Sequence, residues 1–327
     1  VARERIDLTE VLQRYRARVI QITPQEGYYL VETNRGPKEL RMWPRIDVMR
    51  WSFAWREQMV RLGSREVERF IRTRDAKPYL VAGKRGFTLT DHLRHAQPIP
   101  PTPEIVRESG RLVARMHRAQ QHNHLFPAAD FLKQEQLYVS AEVRKARSLE
   151  EEWCTRDERV AEVFPPMLER MERSSELLSS SRVDLEQLAV SHRELRRDNW
   201  GLVNQKMILR GFYRPSLSVQ QRDVAGYLRD LFLQHEDEQL LTAFLDGYEE
   251  EKPLRYGDYT LMLAFMAYPA DVWQSLDRYI TNVREQGSAS LEELEQTLSR
   301  QQLVDRLLRH VALRAEHARS GTAYEPI

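Results

Sequence analysis

The chain of 327 residues contains one cysteine, Cys154, so no disulfide can form within it. That fits a reducing compartment. It also lacks an apolar run of membrane-spanning length. The most apolar stretch, residues 259–269 (YTLMLAFMAYP), is about half of what a bilayer core demands and reads as a buried helix. Charge of one sign is missing too: Lys and Arg number 50 against 49 Asp and Glu, for a net charge of +1. No global field therefore draws nucleic acid or an anionic membrane, and neither is expected as a partner. The first residues, VARERIDLTEVLQRYRARV, are charged and helix-like rather than a signal peptide. There is no P-loop, no Ser-His-Asp or Cys-His pattern, no internal repeat and no low-complexity segment. What remains is a globular composition with 41% apolar residues, long enough for two lobes with their own cores.

Periodicity divides the chain. Apolar residues at 6, 8, 11, 12 and 15 predict a helix. ARVIQIT and GYYLVETNRG then read as strands, and KELRMWP as a third, stopped by Pro44. Helical spacing returns through Val48, Trp51, Trp55, Met59 and Leu62 and stops at Gly63. VERFIRT, PYLVAG and GFTLTDHL are further strand candidates. Four prolines in HAQPIPPTPE, residues 95–104, mark a boundary. They separate an N-lobe of residues 1–96 from a mostly helical C-lobe of residues 97–327.

In the C-lobe, Thr102 is the expected N-cap of a helix with Pro103 at its first position. Residues 131–180 predict one or two long charged helices around Trp153, broken by the FPP of residues 164–166. Asp223 is the expected N-cap of DVAGYLRDLFLQ, and three further helices follow. A single long amphipathic helix is expected over about 288–319, with Ser290 and Glu293 as a capping box and Gly321 just past its end.

The stretch SHRELRRDNWGLV, residues 191–203, sets His192, Glu194 and Asn199 at the spacing of a phosphotransferase catalytic loop, His-x-Asp then four residues then Asn. Several other segments carry a wider likeness. YYLVETNRGPKELRM, GRLVARMHRAQ and FLDGYEEEKPLRYGDYTLMLAFMAYPADVWQSLDRY, in that order, resemble the CotS-type spore coat proteins over roughly residues 10–285. The helix segment also resembles aminoglycoside and choline phosphotransferases. The resemblance implies an α+β, bilobal, protein-kinase-like fold of the aminoglycoside phosphotransferase type, with a small antiparallel-sheet N-lobe and a larger helical C-lobe. It implies residence in the mother-cell cytoplasm and then the spore coat, with other coat proteins as partners. It does not by itself imply catalysis, because a fold hosts many functions.

The resemblance also assigns chemical positions. Phosphoryl transfer needs a phosphate cradle, a cation, a base and metal ligands. The strand lysine becomes Arg41, and the hairpin turn ITPQEGYYL offers one glycine, Gly27. The base Asp becomes Glu194, longer by one methylene, and misplacement by about 1 Å can cost about 100-fold. Asn199 matches the first metal ligand, and Gly211 stands where the second, an Asp, is expected. Mg2+ prefers carboxylate oxygen, which glycine cannot supply. Arg193, Arg196, Arg197, Arg210 and Arg214 surround these loops. They are either a solvated, internally paired set or a basic cleft for an anionic ligand, with Arg41, Arg196 and Arg197 as the phosphate or anion contacts.

No cofactor is expected in the first instance, and Mg-ATP, held through Asn199, only if activity survives. The leading reading is a CotS-like pseudokinase, a non-catalytic or catalytically impaired scaffold of the endospore coat. The rival is an active small-molecule kinase with Glu194 as base. His92 with His95, and His117 with His122 and His124, lack the tight spacing of a metal site and read as polar helix-end residues. Trp51 and Trp55 read as core, and Glu249, Glu250 and Glu251 as a solvated helix end.

Overall fold

β-Branched and aromatic residues at alternating positions draw the first hundred residues into a sheet. The computed structural model describes residues 7–92, 99–119, 131–181, 189–192, 195–203, 206–213, 216–285 and 292–320. Helix α1 (Leu8–Gln13), capped by Asp7 on Thr9 N at 2.8 Å, precedes strands β1 (Val19–Gln25), β2 (Tyr28–Thr33) and β3 (Lys38–Trp43). Helix α2 (Ile46–Arg61) and strands β4 (Leu80–Ala82) and β5 (Arg85–Asp91) complete an antiparallel sheet of order β1-β2-β3-β5-β4. Pro24 has no N–H to donate and lies on the edge strand β1, where none is required. Val31, Leu40, Phe87 and Leu89 pack with Val11, Leu12 and Tyr15 of α1 in one core.

The chain then runs through α3 (Pro103–Arg118), α4 (Phe131–Arg156), α5 (Glu158–Ser180), β6 (Ala189–Ser191), β7 (Trp200–Val203), β8 (Lys206–Leu209), β9 (Ser216–Ser218), α6 (Gln221–His235), α7 (Glu238–Glu251), α8 (Tyr256–Ala267), α9 (Ala270–Arg284), α10 (Glu292–Ser299) and α11 (Gln301–Ser320). Two compact units emerge. The first comprises Val1–Pro100, Leu112–Ala129 and His192–Ser216, and the second the remainder. The loop of residues 192–216 thus groups with the sheet.

Five expectations differ from the structure. VERFIRT is not a strand of the sheet. Its Ile71 N donates to Leu89 O of β5 (2.7 Å) and its Glu68 N to Leu209 O of β8 (2.9 Å), while Leu209 N donates to the O of Glu66, just before the stretch (2.8 Å). The FPP segment does not break its helix, since α5 runs through Pro165 and Pro166. The break falls earlier, at Asp157, whose carboxylate caps α5 on Arg159 N (3.0 Å) and accepts from Tyr279 Oη (2.6 Å). Buried Phe164, Met167, Leu168 and Met171 hold α5 in place despite the lost N–H donors.

Asp223 is not an N-cap. Gln220 takes that position, and Asp223 lies buried in the first turn of α6. The helix expected over 288–319 is two helices, α10 and α11. Thr297 and Ser299 hydroxyls bond back to Glu293 O (2.6 Å) and Gln296 O (2.8 Å), a competition that favours a helix end. Ser290 and Gly321 lie outside the described residues.

In the second unit a core forms around Trp153, Phe164 and Trp273. There α3 and α7 approach through Gly110 and Gly247. A Cβ on Gly247 would stand 1.9 Å from the Arg107 carbonyl oxygen, and one on Gly110 would stand 2.1 Å from that of Phe244. Beside this crossing Glu250 accepts from Arg107 Nε (2.8 Å) and Arg111 Nε (2.5 Å), while Glu249 accepts from Tyr259 Oη (2.8 Å) and Arg314 Nη2 (2.6 Å). Glu249 and Glu250 are therefore anchored rather than solvated, because basic residues of α3 and α11 face the end of α7. Gly247→Ala should destabilise the protein by about 1–3 kcal/mol through overpacking, read by urea denaturation.

Candidate functional site

The loop that carries the phosphotransferase-like spacing is built on the β7–β8 hairpin, and the hairpin is anchored by backbone bonds from residues 66–68 to Leu209. His192 is fully buried, and its Nε2–H donates to Arg210 O at 3.0 Å. Its ring stands edge-on to Phe212 at 5.0 Å, and Phe212 stands edge-on to Trp55 at 5.1 Å. Trp51 and Trp55 are core residues, with ring centroids 5.6 Å apart. Asn199 closes the 3-10 turn Arg197–Asn199: its Oδ1 accepts from Arg196 N at 2.7 Å, and its carbonyl accepts from Arg210 N at 2.8 Å. His192 and Asn199 thus fix the loop by satisfying its backbone. Glu194, Arg193 and Arg214 lie outside the described residues.

Gly211 follows β8 with φ +90°, a conformation open to glycine and strained for other residues. A Cβ there would meet Asn199 Nδ2 at 2.3 Å and His192 Cε1 at 3.3 Å. The Asn199 amide fills the space a side chain at 211 would need, so the substitution and the loop geometry depend on each other. The one amide oxygen suited to a metal already accepts an N–H, and position 211 offers no carboxylate. Among the described residues no group of three His, Cys, Asp or Glu side chains is placed to hold a metal. Asn199 and Gly211 thus offer no carboxylate to Mg2+, a cation usually held by one or two carboxylates together with waters and substrate phosphates.

Arg41 lies on β3 opposite Thr88. Its Nη1 donates to Gly27 O at 2.9 Å, in the turn between β1 and β2. Its guanidinium lies 3.5 Å from the Tyr213 ring centroid and 5.8 Å from that of Tyr28. The strand cation is therefore held by its own hairpin and by aromatic faces, contacts worth about 0.5–2 kcal/mol each. Among the described residues no carboxylate stands within ion-pair distance of it.

Tyr213 leads to a network that the sequence did not reveal. Its hydroxyl donates to Glu68 (2.9 and 3.1 Å to the two oxygens), and Glu68 Oε2 pairs with Arg56 Nη2 at 3.0 Å. Both partners of this pair are almost fully buried, at 2% and 5% exposure. Arg56 Nη1 also donates to Ser52 Oγ (2.9 Å), which donates to Phe212 O (2.6 Å). Burial lowers the pKa of Arg56, with Glu68 opposing that shift, and burial raises that of Tyr213. The sequence signal for it is Tyr213, directly after Gly211 and Phe212.

The arginines do not converge as a described set. Arg196 is exposed, and Arg197 Nη2 donates to Ile99 O at 3.2 Å. Arg210 has a buried Nε without a hydrogen-bond partner. His92 Nδ1 lies 2.8 Å from Glu39 Oε1, and His117 is buried in α3. His95, His122 and His124 lie outside the described residues.

The sheet, the helical unit and the loop together define a protein-kinase-like fold of the aminoglycoside phosphotransferase type. Solved structures agree. An aminoglycoside phosphotransferase from Alicyclobacillus acidocaldarius is similar with TM-score 0.77 at 14% identity, covering 97% of this chain and 98% of that one. An amicoumacin kinase in complex with AMP-PNP and Ca2+ is similar with TM-score 0.62 at 13% identity, covering 91% and 92%. An AMP-bound spectinomycin phosphotransferase is similar with TM-score 0.62 at 12% identity, covering 93% and 96%. At such identities the likeness shows the fold alone. A comparison with curated proteins gives no match. The family model described as "Spore coat putative kinase YutH" matches residues 47–311, and the chain belongs to this CotS-like spore coat family. No described helix is long and apolar enough to cross a membrane.

Two substitutions probe the site. Gly211→Asp should lower stability by about 1–3 kcal/mol, the range for strained backbone, and Asn199→Ala in the same chain should restore part of that loss because the two side chains compete for one space. Additive losses in a double-mutant cycle would contradict the steric coupling. Glu68→Gln should cost about 3–5 kcal/mol by leaving Arg56 buried without its counter-charge, and Arg56→Met with Glu68→Leu should cost much less. Urea denaturation followed by tryptophan fluorescence measures both.

Proposed function

We propose that this protein is a CotS-like pseudokinase: a non-catalytic or catalytically impaired scaffold of the endospore coat, made in the mother-cell cytoplasm and acting by contact with other coat proteins. The observation that carries this reading is Gly211, whose missing carboxylate cannot be supplied without displacing Asn199. Arg41, turned to Gly27 O and stacked on Tyr213, supports it further. In phosphoryl transfer the strand cation and the metal together neutralise charge that builds on the phosphates. Here the cation is engaged by the protein itself and the metal lacks its acid. Membership of a spore coat family supplies the setting.

A second reading is an active small-molecule kinase, or a nucleotide binder without turnover. It is favoured by the retained loop of His192 and Asn199 and by similar structures that hold AMP-PNP or AMP. The full-length protein, melted with and without Mg-ATP, decides between them. A ligand at about 100 times its Kd would stabilise the native state by about 2.7 kcal/mol. The pseudokinase reading expects no Mg2+-dependent rise in Tm at millimolar nucleotide and no ATP turnover. A Mg2+-dependent rise that Asn199→Ala abolishes would overturn it.

A further inference from the structure

The second unit contains an open pocket of about 620 Å3 where the end of α5, the start of α6 and the α7–α8 connection meet. Its charge is unevenly committed. Lys252 is half-buried, and its ammonium donates to the Gln220 side-chain oxygen, a neutral acceptor. Among the described residues no carboxylate lies within ion-pair distance of Lys252. Burial holds the pKa of this amine below the usual lysine value, with Asp258 acting in the opposite direction. Arg255 is exposed at the rim, and its guanidinium makes no hydrogen bond or ion pair with a described residue.

The carboxylate that lines the pocket is already engaged. Asp258 accepts from Arg255 N at 2.7 Å and from the Gln221 side-chain amide. It orders the start of α8 and leaves both cations without a direct ionic partner. A half-buried ammonium such as that of Lys252 is costly unless an anion completes it, whereas the exposed Arg255 carries no such cost.

The remaining polar groups define the rest of the ligand. The hydroxyls of Ser180 and Ser181 donate to Leu177 O at 3.0 and 2.7 Å, and that of Thr260 donates to Tyr256 O at 3.0 Å. Each has used its one proton within its own helix and presents oxygen lone pairs. Such oxygens repel an anionic group and suit hydroxyl donors. The two ends of the pocket therefore ask for different chemistry. Tyr256, 42% exposed, has the Arg319 guanidinium 5.9 Å from its ring centroid, and the opposite face of the ring is the one against which a carbon skeleton can lie.

We propose that this pocket binds a small hydroxylated organic anion. Its phosphate or carboxylate engages Lys252 and Arg255, and its hydroxyls donate to the oxygens of Ser180, Ser181 and Thr260. The cations recognise either anionic group, so the probes separate the two sources. Isothermal titration of the full-length protein with glucose 6-phosphate and with gluconate, at matched ionic strength, should show saturable millimolar or tighter binding of at least one. Inorganic phosphate should bind more weakly than the better of the two, and neutral glucose should not bind measurably. Arg255→Gln, at an exposed position where folding is not at stake, should weaken binding by about tenfold, equivalent to ~1.4 kcal/mol. Lys252→Met should weaken it at least as much, while Arg309→Gln, outside this pocket, should leave it unchanged. The proposal is overturned if neither probe binds saturably, if inorganic phosphate binds as well as both, or if the Arg255 and Arg309 variants bind alike. Mg-ATP is absent throughout, so the outcome is independent of the pseudokinase reading.

Discussion

The ion pair between Arg56 and Glu68 is the constraint on which the first unit turns. Neither group tolerates burial alone, because removing an isolated charge from water costs far more than a single contact returns. Their pairing therefore fixes three segments at once. Arg56 holds α2, Glu68 holds the extended chain after it, and Ser52 and Tyr213 tie both to residues 212–213. The bond from Glu68 N to Leu209 O adds a backbone tether to the same place. The loop that resembles a catalytic loop inherits its position from this pair. Its own polar groups mostly satisfy one another.

That internal satisfaction is what the proposed non-catalytic reading rests on. A catalytic centre keeps donors and acceptors aimed at the place where charge will develop, and it leaves them for the substrate to complete. Here Asn199 Oδ1 takes the Arg196 N–H, Arg41 takes the Gly27 carbonyl, and Tyr213 gives its proton to Glu68. Gly211 completes the arrangement by making room for the Asn199 amide. Each contact is ordinary. Together they make a packed arrangement in which His192 and Asn199 serve the loop's backbone.

Much of the fold was legible in the sequence because it is written in local periodicity. β1, β2, β3 and α2 follow alternation, helical spacing and the stops at Pro44 and Gly63. The failures have a common physical cause. VERFIRT has strand composition, yet its backbone is shared between Leu89 of β5 and Leu209, a residue about 140 positions away, and forms no strand of the sheet. Pro165 and Pro166 look like a break, yet buried side chains override the lost donors. Of the site, positions 41, 199 and 211 were singled out through the resemblance, and the structure sets Gly211 against the Asn199 amide. What packs around them was not legible. The Arg56–Glu68–Tyr213 network joins residues 12 and 145 positions apart, and the φ of Gly211 is a property of the folded backbone.

The two units also differ in how they treat their charges. In the first, several described cations near the loop meet a partner from the same chain: Arg41 a carbonyl and a ring, Arg56 a carboxylate, Arg197 the Ile99 carbonyl. In the second, most arginines are likewise answered, as Arg314 is by Asp246 and Glu249 and Arg229 by Asp271. Among the described residues no carboxylate lies within ion-pair distance of Lys252 or Arg255, although carboxylates are abundant in the same unit, and the same holds of Arg144, Arg173, Arg300 and Arg309. A sequence with almost equal numbers of acids and bases has no shortage of counter-ions. Two neighbouring cations without a direct ionic partner therefore reflect placement rather than composition. Placement of that kind is what a ligand site requires: charge desolvated enough to bind strongly and still not satisfied by the protein itself.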